Sequence, residues 1–177
     1  MAGRAAGQAA TKPEFTIKKA TLADLVVLAE QRNSMYQDMN PDLDFDHAAH
    51  ARRYKAWARK MMKRRKFFPF LVTDRTGRPV AGGSVWVREN QPSPRYSVVE
   101  MPYLMSMYTD PAYRRKGLAS MIVRHAIQWS RARGYPRLIL HASEMGEPVY
   151  ARLGFQRTTE MRMALDPRGK PTQVRKR

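Results

Sequence analysis

Residues 111–120 read Pro111-Ala112-Tyr113-Arg114-Arg115-Lys116-Gly117-Leu118-Ala119-Ser120, and the interpretation of the fold begins with them. The stretch 103–109 before them is apolar and short enough for a buried strand, and 117–133 carries apolar residues at helical spacing. A helix N-terminus offers unpaired backbone N–H groups and the positive end of the helix dipole, which together favour a phosphate. Because Gly117 and Ala119 leave the backbone open to an anion, we expect a phosphate-binding turn here. An ordinary capped helix start is the alternative.

The rest of the chain divides into strands and helices by its periodicity and its turn residues. Strands are predicted over 15–19, 67–74, 80–89, 103–109 and 137–142, with one or two more in 155–165. Helices are predicted from the Thr21–Asp24 capping box to Asn40, from about Asp46 to about residue 65, over 117–133 and over 147–153. A strand, a helix and a strand within 103–142 form a βαβ unit, so part of the sheet is parallel. The fold class is therefore mixed α/β with an antiparallel first half.

The length and composition predict one domain with two appendages. The chain has 177 residues and no cysteine, which excludes disulfides and thiolate metal sites. We expect a flexible N-terminal arm over 1–13, a single domain over 14–165 and a basic tail over 166–177. No segment approaches the roughly 18 apolar residues of a membrane-spanning helix, and the first ten residues lack the apolar run of a secretory signal. A cytoplasmic protein with no membrane partner is therefore expected.

The charge is strongly positive and unevenly distributed. There are 33 Lys and Arg against 15 Asp and Glu, a net charge of +18, which attracts anions such as nucleic acids or phosphorylated small molecules. Basic residues crowd 52–66 and the end of the chain, 168–177. A solvated helix face is the simplest interpretation of 52–66, and nucleic-acid binding is the alternative. No aromatic residue interleaves with the basic tail, so stacking on bases is not indicated.

Several motifs together resemble one known family. The segment Arg114-Arg115-Lys116-Gly117-Leu118-Ala119 is similar to the Arg/Gln-x-x-Gly-x-Gly/Ala pyrophosphate loop of the GNAT superfamily of acyl-CoA-dependent N-acetyltransferases. Residues 149–155, Val-Tyr-Ala-Arg-Leu-Gly-Phe, resemble its second motif, and the order and spacing agree over 103–165. The resemblance implies a central mixed sheet of six to seven strands with about four helices, in which 103–109 and 137–142 form a parallel, splayed pair.

The resemblance also implies a donor site for acetyl-CoA, with no metal. Backbone N–H groups would hold the pyrophosphate at Arg114, Arg115, Lys116, Gly117, Leu118, Ala119 and Ser120. The backbone would contact the pantetheine at Met107, Tyr108 and Thr109. Ser143 occupies a position that is often filled by Asn in the family, so a weaker side-chain contact to the cofactor is predicted there. Tyr150 stands where relatives place the residue that protonates the departing thiolate, and packing beside Phe155 is its alternative role.

The general base is not evident from the motifs. Relatives often carry a carboxylate four residues before the first pantetheine contact, and this chain has Tyr103 there. Glu100 is the nearest substitute, with an exposed structural carboxylate as the alternative, and Glu144 is a more distant second. An amine of low pKa would need no base. His125 is predicted to pack in the core, whereas the direction of His141 is left open.

The acceptor side is predicted from the segment that joins the first two helices. Its acidic residues are Asp38, Asp42, Asp44 and Asp46. On a basic protein such a patch would attract a cationic amine, so we expect a small-molecule or protein amine as acceptor and assign substrate binding to Asp38, Asp42 and Asp44. The rival hypothesis is a nucleic-acid- or ribosome-associated protein of the same fold, or one that acetylates an amine on RNA or a ribosomal protein. A homodimer is usual in the family, but no feature of these residues indicates one.

Overall fold

The computed structural model describes residues 13–92, 94, 98–161 and 163. Its strands are β1 (Phe15–Lys19), β2 (Phe67–Asp74), β3 (Pro79–Glu89), β4 (Glu100–Thr109) and β5 (Ile139–Leu140). Its helices are α1 (Leu25–Met39), α2 (His47–Lys63), α3 (Leu118–Arg131) and α4 (Glu147–Arg152). Short 3-10 turns lie at Leu22–Asp24 and Pro111–Tyr113. None of the helices in the described part of the chain has the length and apolar character that crossing a bilayer requires.

The sheet is mixed, as predicted. Its strand order is β1-β2-β3-β4-β5, and the first four strands are antiparallel neighbours. β5 runs parallel to β4 and pairs with it through Tyr103↔Ile139 and Leu104↔Leu140. The described residues hold five strands rather than six to seven. Residues 155–161 form no strand, and the rest of 155–165, apart from Met163, lies outside the described residues, as do 1–12 and the predicted tail.

Helices cover both faces of the sheet because side chains of its strands alternate in direction. On β2, Phe67 and Leu71 pack in a cluster with α1 and α2, which includes Leu25, Leu28, Tyr54 and Ala58. Phe70, between them, packs in a second cluster with α3 and α4, which includes Leu104, Val123, Ala126 and Tyr150. Two apolar layers therefore enclose the sheet, and α1 and α3 lie on opposite sides of β4.

The predicted helix starts are confirmed. They could be predicted because helix caps depend on local sequence. Thr21 and Asp24 form a complete capping box before α1. Asp46 caps α2 by accepting the Ala49 N–H at 2.8 Å. Gly117 is the N-cap of α3 in a left-handed conformation, at φ +79°, and Gly134 ends the helix region at φ +71°. These conformations favour glycine because it has no Cβ.

A β-bulge interrupts β4 where the strand leaves β5. Ser84 pairs with Met105 but Gly82 pairs with Tyr108, so β4 has one residue more than β3 in this interval. Ser106 has φ +55°, which is unusual for a residue other than glycine. Met105 packs toward α1 and α2, and the Ser106 Oγ accepts a hydrogen bond from Arg32 of α1 at 2.7 Å. The bulge therefore directs two consecutive side chains toward the same helix layer.

Candidate active site

The start of α3 forms an open, positively polarised turn. Its first N–H groups, on Leu118, Ala119 and Ser120, have no helical partner, and the Gly117 cap offers no side chain to bond them. A Cβ built on Gly117 would meet no atom within 4 Å, so the space above the turn is open. Arg115 adds a second left-handed residue, at φ +61°. Such a turn at a helix N-terminus has the donors and the dipole that a phosphate group requires.

The cationic side chains of this turn are partly engaged with the protein. The Arg114 guanidinium donates to the Thr109 carbonyl at 3.3 Å and to the Asp38 carboxylate at 2.5 Å. The Lys116 ammonium lies 3.6 Å from a Glu14 carboxylate oxygen. The side chain of Arg115 is exposed. The turn therefore presents backbone donors directly, while its cations contribute an attractive field around them.

The edge of β4 beside this turn lacks a strand partner within the described residues. β5 pairs with β4 only at Tyr103 and Leu104, whereas β3 stays paired with β4 to Thr109. Residues 105–109 consequently have β3 on one side and a gap on the other. A gap lined by peptide N–H and C=O groups suits a ligand that carries amides. The predicted contacts Met107, Tyr108 and Thr109 all lie on this segment.

Tyr150 lies in the interior near the same gap. Its side chain packs with Leu104, Val123 and Ala126, and its ring centroid is 5.9 Å from that of Phe155. Burial, and secondarily the charge of ionised Tyr103, raise the pKa of the Tyr150 hydroxyl. The hydroxyl is therefore protonated at neutral pH and available as a donor. Packing and a donor role are compatible at this position.

Ser143 has a local function in the structure. Its Oγ accepts the Gly146 N–H at 3.2 Å, just before α4 begins at Glu147. The hydroxyl thus helps to order the loop that precedes the helix of Tyr150. Its contact with a cofactor stays a prediction.

Glu100 is not brought together with the other predicted site residues. It begins β4, and seven residues at about 3.3 Å each put it roughly 20 Å of strand away from Met107. Its Oε1 accepts from the Lys66 ammonium at 2.5 Å and its Oε2 from the Tyr135 hydroxyl at 2.9 Å. Lys66 first, and Tyr135 second, lower the pKa of the Glu100 carboxyl. A carboxylate held in this way is a poor proton acceptor, which favours the structural interpretation.

The four acidic residues around the α1–α2 connection have different roles. Asp38 forms the ion pair with Arg114, and Asp46 caps α2. Asp42 and Asp44 are exposed on the connecting loop. Asp42 and Asp44 lie on the loop itself, where a cationic ligand can reach their carboxylates.

Two sets of residues near the gap were missed by the sequence interpretation. Arg32 donates to Ser106 at 2.7 Å and to the Tyr36 hydroxyl at 2.8 Å, so it links α1 to the bulge. His141, whose direction was left open, contacts the hydroxyl of Tyr103 and the carboxylate of Glu160. The contact between Arg32 and Tyr36 could have been predicted, because residues four positions apart lie on the same face of a helix. The contacts of His141 could not, because they join distant parts of the chain.

The remaining histidines do not form a ligand cluster in the described part of the chain. His125 packs against Phe70, with ring centroids 4.6 Å apart, and burial lowers the pKa of its imidazole, as expected for a core histidine. No group of three or more metal-binding side chains occurs among the residues that the structure describes. The exposed face of α2 and its end are basic, with Arg52, Arg53, Arg59, Lys60, Lys63, Arg64 and Arg65.

Comparison with known proteins agrees with this geometry. Residues 32–155 match the model of the acetyltransferase (GNAT) family. A glucosamine 6-phosphate N-acetyltransferase from Trypanosoma brucei brucei is 33% identical over 91 residues, which are 51% of this chain and 59% of that protein. The chain therefore spans somewhat more than half the length of this curated relative.

Solved structures share the whole fold. A GCN5-related N-acetyltransferase from Ralstonia eutropha JMP134 has a TM-score of 0.76 at 26% identity, over 85% of this chain and 98% of that one. A predicted acetyltransferase from Clostridium acetobutylicum, determined with acetyl-CoA, has a TM-score of 0.77 at 20% identity, over 85% and 95% of the two chains. Since the family model also covers more than half of the sequence, from α1 to the residues after α4, this chain belongs to the GNAT family of acetyltransferases.

Proposed function

We propose that the protein is an N-acetyltransferase that transfers the acetyl group of acetyl-CoA to a primary amine by direct attack in a ternary complex. The observation that carries this proposal is the open N-terminus of α3 beside the unpaired edge of β4. Family membership supports it, because the matched region, residues 32–155, contains both features.

The described residues fit the proposed donor. The uncapped N–H groups of Leu118, Ala119 and Ser120 would bind its phosphates, and the open space at Gly117 leaves room for them. The backbone of 107–109 would bond the amides of the pantetheine arm. When bound, the donor supplies a thioester, whose carbonyl carbon accepts the amine and whose sulfur departs.

The groups of the protein then have three roles, which are to position the reactants, to polarise the carbonyl and to donate a proton. Binding holds the amine and the carbonyl carbon in reacting geometry, which removes much of the entropic barrier. Backbone N–H groups along the gap polarise the carbonyl oxygen. The buried Tyr150 hydroxyl, kept protonated by its raised pKa, donates its proton toward the departing sulfur.

We further propose a small-molecule amine as acceptor. The exposed carboxylates of Asp42 and Asp44 favour a cation near α1 and α2, whereas Asp38 orients Arg114. The relative from Trypanosoma is named for glucosamine 6-phosphate, so this amino sugar is the first acceptor to assay.

The donor site is tested by thermal unfolding with and without acetyl-CoA. Ligand at about 100 times its Kd adds about 2.7 kcal/mol, equal to a rise in Tm of roughly 5 to 10 °C for a chain of this size. We expect this rise for the wild type and its loss in Gly117→Glu, because the new carboxylate would occupy the phosphate turn. Gly134→Glu is the matched control: it too is a left-handed glycine with open space, at the other end of α3.

Two outcomes would contradict the assignment. If acetyl-CoA leaves the Tm of the wild type unchanged, the protein has no such donor site. If Gly117→Glu is stabilised as strongly as Gly134→Glu, the phosphates do not bind at α3.

A further inference from the structure

Three side chains from separate parts of the chain form a continuous hydrogen-bonded series. The Tyr103 hydroxyl on β4 contacts Nδ1 of His141, which follows β5, and their ring centroids are 5.3 Å apart. Nε2 of His141 lies 2.7 Å from the Glu160 carboxylate, beyond α4. The series joins residues 38 and 19 positions apart.

The Glu160 carboxylate determines which group donates in each hydrogen bond of the series. A carboxylate only accepts hydrogen bonds, so Nε2 of His141 carries the hydrogen that faces Glu160. In a neutral imidazole Nδ1 is then the acceptor, and the Tyr103 hydroxyl donates to it. A hydroxyl, an imidazole and a carboxylate in this order can move a proton away from the hydroxyl, with the carboxylate stabilising the imidazolium that forms.

The series begins where the donor gap opens. Tyr103 and Leu104 are the last residues of β4 that pair with β5, so the hydroxyl stands at the junction of the two strands. Burial first, and an ionised Tyr103 second, raise the pKa of the Tyr150 hydroxyl. The other end is open to water, since the His141 side chain is 39% exposed. A proton that enters at Tyr103 can therefore leave through His141.

We propose that Tyr103, His141 and Glu160 remove the proton that the acceptor ammonium must lose before it reacts. This inference rests on the proposed function. The Tyr103 oxygen takes a proton from the ammonium while its own proton passes to Nδ1 of His141. The neutral nitrogen then bonds to the acyl carbon and the carbon–sulfur bond breaks. The sulfur takes the Tyr150 proton, which the second nitrogen proton replaces, and His141 releases its proton to water.

Two charged groups lie against the series. The Glu160 carboxylate, 2.7 Å from Nε2 of His141, is placed to stabilise the positive charge that the ring carries while the proton passes through it. The Arg88 guanidinium, on β3, lies 4.1 Å from the Tyr103 ring centroid, so a positive charge faces the ring. Tyr103 is thus the catalytic residue of the series, and Glu160 is a positioning residue.

The test measures release of free thiol from acetyl-CoA with a thiol-reactive dye. The chain has no cysteine, so the dye detects only the product. Glucosamine 6-phosphate is the first acceptor, followed by a panel of primary alkylamines. At neutral pH we expect kcat of His141→Gln and of Tyr103→Phe to fall by about 100-fold or more, with unchanged stabilisation by acetyl-CoA. The double variant should lose no more than either single one, because the residues act as a unit.

The pH profile separates a proton-transfer role from a structural one. For the wild type we expect an acid limb of kcat/KM, because an imidazole that already carries a proton cannot accept the one from Tyr103. In His141→Gln the plateau above this limb should be lost, and the rate should keep rising with pH until the amine itself loses its proton. An alkoxyamine, which is already neutral at neutral pH, should be acetylated almost as fast by His141→Gln as by the wild type. His125→Gln is the control and should retain the acid limb.

The outcomes distinguish this inference from the function on which it rests. If the wild type binds acetyl-CoA and acetylates an amine while His141→Gln keeps the rate and the acid limb, the series has no role in proton removal. An equal loss with alkylamine and alkoxyamine would also overturn it, since His141 would then act structurally. If the wild type neither binds the donor nor releases thiol with any amine, the proposed function fails as well.

Discussion

Glu100 is a carboxylate with a partner on each oxygen, Lys66 on one and Tyr135 on the other. These partners lower the pKa of its carboxyl. A carboxyl with a lowered pKa stabilises the fold above its unfolded pKa, about 4.3, and this contribution is lost as the pH falls through the folded pKa. Since the side chain is 38% exposed, screening by water limits the contribution to about 1 kcal/mol or less.

We therefore expect Glu100→Gln to lower the Tm at pH 7 and to converge with the wild type below about pH 4. Thermal unfolding between about pH 3 and pH 7 measures this difference. Glu89→Gln is the matched control, because Glu89 also contacts Lys66 but is 75% exposed. A difference from the wild type that persists unchanged in acid would show that charge is not the cause. Loss of acetyl transfer in Glu100→Gln, with Tm little changed, would instead restore Glu100 as a base candidate.

At the scale of single residues, the sequence predicts those parts of the site that local motifs define. Gly117 and Tyr150 stand in short segments whose spacing can be read directly, and their roles toward a ligand stay predictions. The partners of Glu100 cannot be read in this way, since Lys66 lies 34 positions away. The Tyr103–His141–Glu160 series is hidden for the same reason, because only the pairing of β4 with β5 brings its members together.

At the scale of elements, the start of α1 offers a direct test of helix capping. The Thr21 Oγ accepts the Ala23 N–H at 3.3 Å, and the Asp24 carboxylate accepts the Thr21 N–H at 2.7 Å. Removing such a cap costs about 1 kcal/mol, so Thr21→Ala should lower the Tm by about 2 to 4 °C. Thr21→Ser keeps the oxygen and should remain near the wild type. Equal melting of the two variants would show that the hydroxyl is not needed.

Helix boundaries can be predicted from the sequence, whereas the extent of strand pairing cannot. Caps and glycine stops are local, and the predicted boundaries of α1 to α4 agree with the structure to within a few residues. β5 was predicted over 137–142, but only Ile139–Leu140 pair with β4. After Leu104, β4 bends at the bulge and leaves residues 141–142 without a partner in it. The length of a strand depends on its pairing with the adjacent strand, and the periodicity of one segment does not predict the course of that adjacent strand.

At the scale of the whole molecule, the net charge of +18 should weaken the fold through self-repulsion. Raising NaCl from about 10 mM to about 150 mM shortens the screening length from about 30 Å to about 8 Å. We expect the Tm to rise by about 2 to 4 °C, equal to about 1 kcal/mol. A variant with Arg59, Lys60 and Lys63 changed to Gln should respond less. A Tm that falls with salt would show that attractive ion pairs outweigh the repulsion.

The bulge at Ser106 determines the course of β4 beside the gap. A residue other than glycine in left-handed backbone costs on the order of 1–3 kcal/mol, and the fold supports it through Arg32 and the paired β3. The gap between β4 and β5 is thus built during folding, before any ligand arrives. Preorganisation of this kind spares the binding step the entropy of ordering a backbone. We expect the sheet to accept its donor with little backbone movement, so that association is governed by diffusion and by the positive field around the α3 turn.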